Sequence, residues 1–165
     1  MDRFSLAAKP SNRRRRGNTI IESALIFLPL FTIVFAIIDF SMVAFVRNTM
    51  HLAVREGARY AITSQTMAGL GHDDSIKTVV QRNAMGFLNG SAGLSKISVD
   101  YYDPKTLALV TGVSSNRGGN IAQISVNGLT WAWIAPLQRA FPALSISASS
   151  SDLMEQPKNG IIPNR

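Results

Sequence analysis

Cysteine is missing altogether from these 165 residues. Its absence excludes disulfides, thiolate metal sites and a cysteine nucleophile, so any folded part must hold by packing alone. Histidine is scarce, with only His51 and His72. There is no Gly-x-Ser-x-Gly, no phosphate loop and no His-Glu-x-x-His, so the chain carries none of these catalytic signatures. His72-Asp73-Asp74 invites a metal reading, but adjacent polar residues ahead of a helix serve more often as its cap. The expectation is a protein that is not an enzyme, with no catalytic residue, metal, cofactor or small-molecule substrate.

Charge is scarce over most of the chain as well. The formal net charge is +7, but residues 1–17 hold six Lys/Arg against one Asp, or +5. The other 148 residues carry eleven basic groups against nine acids, or +2. A nucleic-acid surface needs basic residues clustered on a folded domain. Here the cluster is a short flank, so no nucleic-acid partner is expected; attraction to anionic lipid suits it better.

What the chain does have is a long apolar run. No charged residue occurs from Ser23 to Ile38, and between Glu22 and Arg47 lie 24 residues with one charge, Asp39. A helix rises about 1.5 Å per residue, so about 20 residues cross a hydrocarbon core about 30 Å thick. Pro29 is tolerable there and kinks at most. A secretory signal would be shorter and would end in a small-x-small site, which is not evident here. The strongly basic flank, with Arg3, Lys9 and Arg13 to Arg16, keeps the N-terminus cytoplasmic by the positive-inside rule. The remainder is then exported.

Beyond the span, Val43, Val46, Met50, Val54, Gly57, Ala58 and Ala61 recur at helical spacing. One helix is therefore expected over about 18–63. Asp73 or Asp74 should cap a second helix with apolar face Ile76, Val79, Val80, Phe87 and Leu88, ending at Asn89-Gly90. Ile97, Val99 and Tyr101 alternate as a strand, and Leu107–Val110 is a short apolar piece. An exposed loop over 114–120 precedes a strand, Ile121–Val126, stopped by Asn127-Gly128. Leu144, Ile146 and Ala148 mark a last strand, and the tail over 149–165 reads as loose. Both tryptophans, Trp131 and Trp133, fall between strands. Three readings stand for them: core packing, a subunit contact, or an anchor at the lipid surface.

Four features follow in order across residues 16–61. Arg16-Gly17 precedes Glu22, Leu28-Pro29-Leu30 lies early in the apolar run, Ile38-Asp39-Phe40 carries an acid near its outer end, and Val54-Arg55-Glu56-Gly57-Ala58-Arg59-Tyr60-Ala61 closes it. Together, with Gly17 and Glu22 at the pilin spacing, they resemble the TadE-like family, the minor pilins or pseudopilins of tight-adherence (Flp-type) pilus systems. The stretch covers about a quarter of the chain. It departs from the pattern at residues 36–41, where such proteins often have glycine and glutamate.

The resemblance implies a prepilin peptidase cutting after Gly17, so that Arg16, Gly17 and Asn18 form the processing site and Asn18 becomes the new N-terminus. Glu22 is then the fifth residue and an assembly residue. Physical reasoning supports part of this independently: glycine enters a protease cleft without steric cost, and a carboxylate at the edge of a membrane helix suggests function. In the first turn Glu22 also suits the helix dipole, an alternative that stays open. Asp39, about 25 Å further along, is either a second assembly residue paired with a neighbour's arginine or an interfacial, hydrated acid.

The expected architecture is α+β: a long N-terminal transmembrane α-helix continuing into a small pilin-like domain with a short helix and an antiparallel sheet. Its parts are a basic leader (1–17), a span (18–46), a periplasmic continuation of the helix (47–63), a periplasmic domain (64–150) and a loose tail (151–165). The expected location is the bacterial inner membrane, single-pass, with possible entry into a pilus serving adhesion or secretion. The expected partners are that membrane, the prepilin peptidase and other pilins of the same system. The competing expectation is a permanent single-pass anchor that presents a periplasmic binding domain.

Overall fold

A single helix, α1 (Arg13–Ile62), is the longest element of the molecule and the surface on which the rest is built. The computed structural model describes residues 13–134, 139–157 and 160–165, with backbone only for 13–18. Residues 1–12 of the expected leader lie outside the described residues. Pro29 is contained within α1.

The helix lives in two environments. From Thr19 to Ile38 nearly every large apolar side chain is exposed, Leu25 at 77% and Ile21 at 68% among them. No other described part of the chain covers this half. From Val46 onward one face is sealed: Val46, Met50, Ala53, Val54 and Ala61 have no exposed surface. Those buried positions follow the apolar stripe legible in the sequence.

Three strands pack against that sealed face. They are β1 (Ile97–Tyr102), β2 (Ile121–Trp131) and β3 (Leu144–Leu153), paired antiparallel in the order β1-β2-β3. Their inward residues are Ile97, Val99, Tyr101, Ala122, Ile124, Val126, Ile146 and Ala148, all buried. The outward face of β3 is a serine row, Ser145, Ser147, Ser149 and Ser151, of the small polar kind that suits water. A further helix, α2 (His72–Asn83), lies against α1 and β1. The short α3 (Gly90–Leu94) follows it. The observed class is α+β, with a long apolar helix and a three-stranded antiparallel sheet, as expected.

Several local expectations are corrected. Neither Asp73 nor Asp74 caps α2: its N-cap is Gly71, with no side-chain cap bond, and both acids lie inside the first turn. The helix stops at Asn83 rather than near Asn89, because Met85 and Gly86 take positive φ (49° and 88°) and break it. Asn127-Gly128 does not end β2. The chain bulges between Val126 and Leu129 and the ladder resumes to Trp131. Leu107–Val110 makes one bridge, Tyr102 to Leu109, and no further strand. The loop over 114–120 is not wholly exposed, since Ser115, Asn116 and Asn120 are buried.

The tail is not loose. β3 runs to Leu153, then Met154 N–H donates to Asn120 O (2.8 Å) and Glu155 N–H to Ile62 O (3.2 Å). Asn116 Nδ2 donates to Pro163 O at 2.8 Å, and His72 N–H to Asn164 O at 2.7 Å. These bonds bury polar groups that a floating tail would leave unpaired.

At Gly57 the sheet and α2 come closest to α1. A Cβ built there would collide with Val80 Cγ2 and lie 3.5 Å from Ile124 Cγ2. Gly57→Ala therefore sets a helix-propensity gain of about 1 kcal/mol against an overpacking cost of about 1–3 kcal/mol. The expected outcome is net destabilisation of about 1 kcal/mol, a fall of roughly 4–8 °C in Tm for a domain of this size. Thermal unfolding of the detergent-solubilised chain, followed by circular dichroism, reads it directly.

Candidate functional site

The membrane-length half of α1 carries the first candidate residues. Among the described residues, Thr19–Ile62 is one helix long and apolar enough to cross a membrane, and its most apolar window is wholly uncovered by the rest of the chain. Glu22 lies on this exposed surface near the start. Thr32 and Ser41 turn their hydroxyls inward to Leu28 O (2.8 Å) and Ile37 O (2.7 Å), so neither presents an unpaired donor to lipid. Arg16, Gly17 and Asn18 fall on the helical backbone of α1, and their side chains lie outside what the structure describes.

Asp39 behaves differently from Glu22. It is fully buried, and its Oδ1 accepts the backbone N–H of Ile134 at 2.9 Å. The two residues are 95 positions apart in sequence. Sequence reasoning weighed a neighbouring arginine or water for this acid and did not foresee a partner within the chain. A signal was present: Asp39, Val43, Val46 and Met50 step by four, three and four, so the acid begins the stripe that faces the domain.

The two tryptophans part company. Trp131 ends β2, half-buried, its ring 6.3 Å from Phe87, which in turn lies 6.3 Å from Phe45 of α1. Both contacts are edge-to-face, the favoured geometry for such pairs. Trp133 sits beyond the sheet, its ring 6.0 Å from Phe40, and its Nε1 donates to Pro142 O at 3.0 Å. The structure thus puts Trp131 on the core, and sets Trp133 against Phe40, next to the Ile134 that bonds Asp39. Residues 135–138 of the tryptophan-bearing segment lie outside the described residues.

A polar cluster forms at the far end of the domain around Asp73, which sequence reasoning reads as a helix cap or, less readily, a metal ligand. Arg165 Nη2 and Nε approach Asp73 Oδ2 at 2.7 and 2.8 Å. Its Nη1 donates to Gly112 O (3.0 Å) and Ser115 Oγ (2.7 Å), and its guanidinium stands 5.0 Å from the Tyr101 ring centre. Tyr101 donates its hydroxyl to Asp73 Oδ1 at 2.8 Å. Burial, and then the Asp73 charge, push the Tyr101 hydroxyl well above its ordinary value. Both Asp73 oxygens and every guanidinium nitrogen are thereby engaged, so the cluster fastens the tail rather than offering a reactive group. Among the described residues no group of three or more His, Asp or Glu is placed to hold a metal.

His72 lies beside this cluster, fully buried, with Nδ1 3.0 Å from Gln65 O and no partner on Nε2 among the described residues. Burial holds its pKa below the ordinary histidine value, against the raising effect of the Gln65 carbonyl and Asp73.

Residues 17–59 match the family model described as TadE-like protein. That is the family the sequence resembles, and the matched stretch is the membrane half of α1 plus most of the stripe that seats the domain. The match suggests a protein associated with a Tad pilus. No curated protein and no solved structure matches.

The buried histidine sets a pH dependence. With its folded pKa below the unfolded value, the unfolded chain binds more protons as pH falls, so stability is complete above about pH 6.5 and declines below it. The Tm of the detergent-solubilised chain should therefore drop between about pH 7 and about pH 5. His72→Gln should flatten that slope.

Proposed function

We propose that this protein is a minor pilin or pseudopilin of a tight-adherence pilus, processed by a prepilin peptidase and assembled through its N-terminal helix. The observation that carries the proposal is the TadE-like match over residues 17–59, which begins at the glycine where the cut would fall. The uncovered half of α1 supports it too, because an apolar helix surface that no other described residue covers is available to lipid and then to neighbouring helices. The location in this reading is the inner membrane, with the leader cytoplasmic and the domain periplasmic.

The mechanism requires no catalysis by this chain. Cleavage after Gly17 exposes the amine of Asn18. Within a stacked assembly that amine pairs with Glu22 of an adjacent helix, and two charges that are each costly in lipid offset one another. Arg16, Gly17 and Asn18 are the recognition residues of the cut, and Glu22 is the assembly residue. The folded domain stays on the outer face, carried by the rigid continuation of α1. The alternative, a permanent anchor with a retained leader, uses the same span but frees no Asn18 amine for Glu22 of an adjacent helix to meet.

Two measurements test this. The N-terminal residue of the chain purified from membranes should be Asn18, and Met1 in cells with an active prepilin peptidase would overturn the processing. Glu22→Ala should leave membrane insertion and thermal stability intact while abolishing incorporation into pili or pilus precursors. Unimpaired incorporation would remove the assembly role.

A further inference from the structure

Ile134, in the connection from β2 to β3, is fixed at the depth of Asp39. Asp39 lies 17 residues beyond Glu22, about 25 Å along the helix axis. The hydrocarbon core is about 30 Å thick. If Glu22 is at one boundary, Asp39 falls at or just inside the other. Ile134 N–H is bonded to Asp39, and Trp133 packs edge-on against Phe40. When α1 crosses a bilayer, this connection therefore meets the leaflet through which the helix leaves.

Its described side chains suit that place. Phe141 is 63% exposed and Ile134 is 46% exposed, while Phe40 beside them is 64% exposed. Together they continue the bare apolar surface of the span outward onto the domain. Arg139 is exposed on the same connection. Irregular backbone at membrane depth needs internal partners for its polar groups. The structure supplies two: Asp39 takes the Ile134 N–H, and Pro142 O takes the Trp133 indole N–H.

We propose that residues 132–134 and 139–143 form a lipid-seating element of this protein. Trp133, Ile134 and Phe141 enter the boundary between headgroups and acyl chains, and Arg139 faces the phosphates. Asp39 is a positioning residue: it holds the connection against the helix at that depth. The occupant is phospholipid, because the exposed surface is continuous with the lipid-facing surface of α1 itself. The inference needs only the membrane span and stands whether or not the leader is cut.

The test places the full chain in vesicles of phosphatidylcholine and phosphatidylglycerol, with Trp131→Phe so that Trp133 alone emits. Lipids bearing a nitroxide near the headgroup should quench most of the Trp133 emission, more than lipids labelled deep in the acyl chain. Iodide in the water should quench it weakly. Asp39→Ala should lose the shallow quenching and gain iodide access, with the circular-dichroism melt retained as the check on folding. Unchanged quenching in a folded Asp39→Ala chain overturns the role given to Asp39. Strong iodide quenching without nitroxide quenching overturns lipid seating. Shielding from both that vanishes at one chain per vesicle overturns it in favour of a protein neighbour.

Discussion

One face of one helix carries this structure. From Val46 to Ala61, α1 presents a strip of small and β-branched side chains, and the sheet and α2 close onto it around Gly57. Burial of apolar surface there supplies the main drive for a domain without disulfides. The closeness matters as much as the area. A glycine facing Val80 and Ile124 lets three elements meet where a side chain would separate them. The half of α1 from Thr19 to Ile38 contributes nothing to that core, and no other described residue covers its large apolar side chains.

The polar interactions divide by location. At the membrane-proximal end, Asp39 and Trp133 pair with backbone groups of the connection between β2 and β3. At the distal end, Asp73, Tyr101 and Arg165 tie α2, β1 and the tail together. Between them the core is mainly apolar, and His72, Ser75, Asn116 and Asn120 are among the buried polar residues. The domain is thus held at both ends by groups far apart in sequence, 95 residues for Asp39 and Ile134 and 92 for Arg165 and Asp73.

That separation explains what was legible beforehand. The helix, its inward stripe and the alternating strands follow from periodicity, which is local and repeats many times. The glycine at position 57 was readable because it stood inside the stripe. The breaks at Met85 and Gly86 were missed because positive φ at a methionine leaves no mark in composition. β2 was cut short because Asn127-Gly128 looks like a turn, and here it makes a bulge instead. The fastened tail and the partner of Asp39 were beyond local reasoning, since each bond joins residues that only the fold brings near; periodicity could place Asp39 on the inward stripe but not name Ile134. The likeness over residues 17–59 was readable from four short patterns in order, all on the element whose structure periodicity also gave.

The continuity of α1 has a mechanical side. No loop or break separates its bare half from its covered half, so the helix is a stiff shaft rooted in the domain core. Its one built-in point of compliance is Pro29, which removes an intrahelical hydrogen bond well below the domain. Bending applied at the N-terminal end would be taken up first at that point, within the bare apolar half and away from the packing around Gly57. The domain can therefore be tilted by its stem without being loosened by it.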